Sequence, residues 1–192
     1  MASPKLILAS ASPRRKDLLA AADVAFEIVQ SGIDETRVDH EAAEAYALRM
    51  ACEKALYVSR RRTDALVLGA DTIVELHGEI LLKPLDAADA RRMLLALSAN
   101  THTVVTAFAI ARAGRLLESA PVTARVTFHH LAPSAIDAYV ATGEPLDKAG
   151  SYGIQSGGAD FIATVAGARD TVMGLPVLEV LAALRRQGFD AG

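Results

Sequence analysis

Lys5-Leu-Ile-Leu-Ala-Ser-Ala-Ser-Pro-Arg-Arg15 places an apolar run directly before a polar turn and a proline, a spacing that predicts strand, tight turn and helix. Lys5 to Ala9 is the strand, Ser12 can cap the helix, and Pro13 suits its first turn. The helix then points its positive dipole end and two guanidinium groups at the turn, a combination that suits phosphate. An ordinary capped helix with two solvated arginines has the same signature, so position alone leaves both readings open.

Further along, residues 40–59 contain neither Gly nor Pro, with acids early, basics late, and Leu48, Cys52 and Leu56 four residues apart. They predict a long helix. Ala65 to Leu76 reads as a strand interrupted by its polar centre, Gly69-Ala-Asp-Thr72, and His77-Gly78 turns it into Glu79–Leu82 as a hairpin. Asp86 can open a helix running through Leu97, Thr103 to Ala111 reads as a buried strand, and Val122 to Phe128 alternates apolar and polar residues. Ser134–Thr142 and Pro176–Gln187 read as helices, each followed by a glycine. Gly143, Gly150, Gly153, Gly157, Gly158, Gly167 and Gly174 crowd residues 143–175, which predicts loops beside something bound. The pattern is α/β, one domain over residues 1–192, with the middle segment a candidate second lobe.

Composition narrows the function. Twenty Lys and Arg against 23 Asp and Glu give a formal net charge of −3, too acidic for sequence-independent duplex binding. The lone Cys52 and five scattered His offer neither a disulfide nor a zinc cluster. The apolar stretch Leu6–Ala9 is too short for a signal peptide or membrane span, and the lone cysteine fits a reducing compartment. Arg60-Arg61-Arg62 ends the long helix and reads as a solvated terminus.

Among the acids, Asp71 sits between β-branched residues and must reach a wet cleft or a charge partner, unless it merely ends a strand in a turn. Lys54 shares a helix face with Ala47, Met50 and Ala51, so its ammonium either emerges at a cleft or snorkels to water. Glu35, should it line up with Asp71, could hold a hard divalent cation; alone it is a loop acid. Lys83 closes the hairpin's second strand and by itself reads as surface. In Asp147-Lys-Ala-Gly-Ser-Tyr-Gly-Ile-Gln155, glycines flanking Tyr152 allow close approach to a flat ligand, and the Gln155 amide can read a base edge.

Ser10-Ala-Ser-Pro-Arg-Arg15, Gly69-Ala-Asp-Thr72, Lys83-Pro84, Asp147 to Gln155 and Gly174-Leu-Pro176 together resemble, in order and spacing, the Maf family of nucleoside triphosphate pyrophosphatases. The Tyr-Gly-Ile-Gln version is similar to the dTTP/UTP branch rather than the 7-methyl-GTP branch. The resemblance implies a mixed, twisted sheet flanked by helices, two lobes with a central cleft, and a cytoplasmic homodimer linked to septum formation. By the same resemblance Asp71 is the proton acceptor, and Arg14, Thr72 and Gln155 govern the choice of substrate. Arg15, Glu35, Lys54 and Lys83 match polar cleft positions; with Ser12 of the helix cap, Arg15, Lys54 and Lys83 are expected to contact the substrate, which extends to modified pyrimidine nucleotides, and the pair Glu35 and Asp71 read above is expected to bind Mg²⁺ or Mn²⁺. A nucleotide-binding regulator of division with little turnover, or a 7-methyl-GTP pyrophosphatase, are the alternatives. Arg169-Asp170-Thr171 departs from the Tyr-x-Asn that many members carry before Val172-Met173-Gly174.

Overall fold

The structure is a computed structural model and describes residues 4–190. Strand β1 (Lys5–Leu8) is buried from Leu6 onward and leads into helix α1 (Pro13–Ala21), with Pro13 at its start. Next come a two-residue strand β2 (Glu27–Ile28), helix α2 (Ala43–Ser59) and strand β3 (Ala65–Leu76). β1 pairs in parallel with both β2 and β3, with Leu8 opposite Ile28 and Leu68. Parallel neighbours need crossovers, and α1 and α2 supply them.

β3 turns through His77 (φ 51°) and Gly78 (φ 86°) into the antiparallel strand β4 (Glu79–Leu81), the two positive φ values of a tight hairpin. Helix α3 (Ala87–Leu97) opens on Asp86, whose carboxylate accepts the Asp89 N–H at 2.8 Å. Strands β5 (Thr101–Arg112) and β6 (Arg115–Phe128) follow, then helix α4 (Pro133–Ala141). Three 3₁₀ turns (Glu144–Asp147, Ala149–Ser151, Gly157–Phe161) lead to strand β7 (Ile162–Ala166), antiparallel to the end of β6. Helices α5 (Arg169–Met173) and α6 (Val177–Arg186) complete the described chain. The mixed sheet runs β2-β1-β3-β5-β6-β7 with β4 on β3, flanked by helices. No described helix is long and apolar enough to cross a membrane.

The chain divides into two compact units. The first comprises the described residues up to Asp71, Thr106–Val122 and those from Gly174 onward, around Leu6, Leu8, Leu19, Phe108, Val180 and Leu184. The second comprises Thr72–Val105 and Thr123–Met173, around Val74, Leu94, Leu97, Val126, Phe128 and Phe161.

Three expectations are corrected. β3 is unbroken across Gly69–Asp71, because the Asp71 charge is met by a side chain of α2 and the strand need not open to hydrate it. On α2 the buried stripe is Tyr46, Ala47, Met50, Ala51, Lys54, Ala55 and Val58, whereas Leu48, Cys52 and Leu56 are half-buried. Of the glycines of residues 143–175, Gly150, Gly153, Gly157, Gly158 and Gly167 are packed against the chain itself. A Cβ on Gly150 (φ 68°) would come 2.8 Å from a Val74 methyl, and one on Gly158 2.8 Å from the Gly153 backbone.

Candidate active site

The first unit gathers Glu35, Lys54 and Asp71. A Cβ on Gly69 would overlap the Ala51 carbonyl oxygen and come within 2.7 Å of the Ala55 nitrogen, so α2 lies directly on β3 there. Asp71, two residues on, points to the same side of the strand, and Lys54 lies on the helix turn between those two contacts. Its Nζ donates to Asp71 Oδ1 at 2.7 Å and lies 3.1 Å from Glu35 Oε1. The Lys54 and Asp71 side chains are only 8% and 12% exposed, while Glu35, at 54%, approaches from the solvent side. A buried ammonium without a partner would cost several kcal/mol, on the order of a domain's whole margin. The pairing offsets part of that cost.

Glu35 has no regular element to hold it; α2 fastens its loop instead. The Tyr46 hydroxyl donates to the Glu35 carbonyl at 2.8 Å, and Arg49 Nη2 donates to the Thr36 carbonyl at 3.2 Å. Arg49 also grips Glu41 through two bonds of 2.8 and 2.7 Å, and Asp34 Oδ1 accepts both the N–H and the hydroxyl of Thr36. Burial, followed by the Asp71 and Glu35 carboxylates, pushes the Tyr46 hydroxyl up to about 12, so it remains a donor at neutral pH. Sequence reasoning missed Tyr46 and Arg49. The available signal was that Tyr46, Met50 and Lys54 recur at every fourth residue of one helix face.

The start of α1 belongs to the same unit. The Ala9 N–H donates to the Leu68 carbonyl at 2.8 Å, which brings the end of β1 alongside Gly69–Asp71. Ser12 is the N-cap residue but its hydroxyl makes no cap bond; its own N–H donates to Ser10 Oγ at 3.2 Å. The two arginines part company here. Arg14 is half-buried, whereas Arg15 is buried, with Nε donating to the Gly174 carbonyl at 2.8 Å and Nη1 to Ser10 Oγ at 3.2 Å. Burial pushes the Arg15 guanidinium below its ordinary value, the Asp71 carboxylate opposes this, Arg14 adds to it, and Glu35 opposes it. An arginine so placed stays charged. Arg15 is thus a tie inside the fold that carries positive charge toward Asp71, not one of two equivalent arginines in an open cradle.

The second unit carries Thr72, Lys83 and Gln155. Thr72 is half-buried on the face of β3 opposite Asp71, while Lys83 and Gln155 are exposed. Tyr152 is not a platform for a flat ligand. It is buried, with its hydroxyl 2.8 Å from His102 Nε2 and its ring edge-on to Phe128 at 4.8 Å. Burial pushes this hydroxyl well above its usual range and His102 down to about 4. Arg169 Nη2 lies 3.5 Å from the Ile154 carbonyl, so the departure at Arg169 supports the residue next to Gln155.

Among the described residues no group of three or more His, Cys, Asp and Glu is arranged to hold a metal ion. Glu35 and Asp71 nevertheless converge on one cation, the Lys54 ammonium. Two carboxylates completed by phosphate oxygens form a donor set that fits Mg²⁺ or Mn²⁺ once that ammonium moves aside.

The chain is similar to known proteins over most of its length. The dTTP/UTP pyrophosphatase of Shigella dysenteriae is 50% identical over 175 residues, 91% of this chain and 88% of that protein. The dTTP/UTP pyrophosphatase of Myxococcus xanthus is 49% identical over 184 residues, 96% and 93% of the two chains. A solved nucleoside-triphosphatase, the dITP/XTP pyrophosphatase of Mycobacterium abscessus, aligns over 96% of this chain and 95% of its own at 15% identity and a TM-score of 0.41, too loose a likeness to bear on function. The model of the family described as Maf-like protein matches residues 5–187, from the first residue of β1 to just past the end of α6, and every motif quoted above falls inside that span. The chain therefore belongs to the Maf family.

Proposed function

We propose that this chain hydrolyses dTTP and UTP, and modified pyrimidine nucleotides of the same shape, to the nucleoside monophosphate and pyrophosphate. Relatives sharing about half of its residues over nine-tenths of its length carry the dTTP/UTP pyrophosphatase name. The observation that carries the chemistry is the convergence of Asp71, Lys54 and Glu35 in the unit that also holds the start of α1.

In this reading Asp71 takes a proton from water as the oxygen attacks the α-phosphorus. The bond from that phosphorus to the bridging oxygen breaks, and pyrophosphate leaves with the electron pair. Negative charge grows on the phosphoryl and leaving oxygens, and Arg14, Lys54, Lys83 and the α1 N-terminus with Ser12 are the groups to offset it. Such preorganised contacts contribute about 3 kcal/mol each. Arg15 adds its charge from within the fold. A divalent cation bound by Glu35 and Asp71 would supply polarisation of a phosphoryl oxygen. Thr72 and Gln155 act on choice of substrate, Gln155 through an amide with one donor side and one acceptor side.

Asp71→Asn is expected to abolish release of pyrophosphate from dTTP and UTP while far-UV circular dichroism stays that of the wild type. A folded variant retaining most of its turnover would remove Asp71 as the base. A panel of canonical nucleotides and 7-methyl-GTP, each with and without Mg²⁺ or Mn²⁺, separates a pyrimidine pyrophosphatase from a purine-selective one and from a binding protein that does not turn over. Sedimentation of the pure protein tests the homodimer that belongs to the same reading.

A further inference from the structure

Gln155 sits in a turn with no helix or strand to hold it, between the buried Tyr152 and the 3₁₀ turn that starts at Gly157. The polar groups on both sides of it converge on one carboxylate. Glu144 Oε1 accepts the Tyr139 hydroxyl at 2.8 Å and also the Ser156 hydroxyl, while Oε2 accepts the Gly157 N–H at 3.3 Å. The Tyr139 oxygen in turn accepts the Gly153 N–H at 3.2 Å. Residues 153, 156 and 157 are thereby tied, directly or through one hydroxyl, to Glu144.

The packing leaves little slack. A Cβ on Gly153 would come 2.7 Å from Ser156 Oγ, 2.9 Å from Lys148 Cε and 3.1 Å from Glu144 Oε1. A Cβ on Gly157 would come 3.1 Å from the Tyr139 ring. Lys148 Nζ donates to the Glu144 carbonyl at 2.6 Å and to Asp147 Oδ1 at 2.7 Å, which anchors the backbone from which Glu144 reaches. Burial raises the Glu144 carboxyl, but the bonds from Ser156, Tyr139 and Gly157 outweigh it and hold the group below its ordinary value, ionised and accepting.

We propose that Glu144 is a positioning residue for base selectivity, clamping the turn 153–157 so that the Gln155 amide meets the base from one fixed place. The proposal rests on the reading of Gln155 as the base-contacting group. A Gln amide presents a donor and an acceptor side by side and, on a mobile turn, can slide along the base to meet either of two pyrimidine edges. Uracil and thymine offer N–H beside a carbonyl, whereas cytosine offers NH₂ beside a bare ring nitrogen. A turn held at three points removes that adaptability.

The test measures kcat/KM for dTTP and dCTP in the wild type, Glu144→Ala, Glu144→Gln, Gln155→Ala and the Glu144→Ala/Gln155→Ala double variant. Glu144→Ala is expected to lower the dTTP-over-dCTP ratio about tenfold, and Gln155→Ala at least as much. In the Gln155→Ala background, loss of Glu144 should change the ratio by less than about twofold, because both act through one amide. A collapse of the ratio in Gln155→Ala but not in Glu144→Ala overturns the role of Glu144 and leaves that of Gln155 standing. An unchanged ratio in Gln155→Ala removes both. An equal fall for the two nucleotides on loss of Glu144, or a further fall of the ratio in the double variant, also overturns the proposal. Should Glu144→Ala fail to fold, Glu144→Gln and Ser156→Ala, which weakens one tie of the clamp, give the same comparison.

Discussion

Lys54 holds a buried ammonium between two carboxylates, which makes it at once a structural counter-charge and a rival to any other cation at that point. Lys54→Met keeps the length of the stem and removes the charge. Breaking a buried pair this way costs about 3–5 kcal/mol, so the urea midpoint of Lys54→Met is expected to fall well below that of the wild type. The same change should tighten nucleotide-free binding of Mn²⁺, read by electron paramagnetic resonance, by about tenfold or more, since removing a unit charge at this range exceeds 1.4 kcal/mol at an effective dielectric near 20. Equal Mn²⁺ affinity in the two proteins would mean that Glu35 and Asp71 do not form the metal site. Half of this arrangement was legible in the sequence. Asp71 among β-branched residues and Lys54 on an apolar helix face both announce a charge in search of a partner. Glu35 does not, because its approach depends on Tyr46 and Arg49 reaching out of α2 to the backbone of an irregular loop, and no periodicity encodes that contact.

At the scale of elements, the decisive contact is β3 against α2 at Gly69. Gly69→Ala pushes a methyl into the backbone of Ala51 and Ala55, which cannot give as a flexible side chain would. The expected cost is about 1–3 kcal/mol, and the displaced helix carries Lys54 away from Asp71. Thermal unfolding and kcat should therefore fall together, and a variant with wild-type melting and turnover would show that the close approach is dispensable. The His77-Gly78 hairpin, the Asp86 cap and the limits of α6 were readable because each is set by residues a few positions apart. β2 and β7 were not. One is two exposed residues long and the other is mostly exposed, so neither carries an apolar alternation; both exist because a neighbouring strand offers an edge. The crowded glycines misled for a related reason. A sequence shows that a backbone is approached closely but not whether the approaching group is a ligand or the chain itself.

For the whole molecule, pH is the simplest probe of how the fold distributes charge. His102 is held down to about 4 by burial, against an unfolded value near 6.5. The unfolded chain therefore binds a proton there that the native protein refuses. The resulting stability is complete above about pH 6.5 and is lost as pH falls toward 4, with a slope of at most about 1.4 kcal/mol per pH unit. Urea midpoints between pH 7 and 4.5 should show this slope, and His102→Phe should flatten it. A slope unaffected by that substitution would place its origin elsewhere. Below that window the carboxylates held low by their partners, Glu41 and Glu118 by arginine and Asp89 by the Leu85 N–H, lose their contribution in turn. The bond from Arg15 to the Gly174 carbonyl joins residues 159 positions apart in the chain. During synthesis the turn between β1 and α1 must wait for this bond until Gly174 has left the ribosome; a nascent chain stalled in β7 would hold Glu35, Lys54 and Asp71 and still lack the latch that seats Arg15.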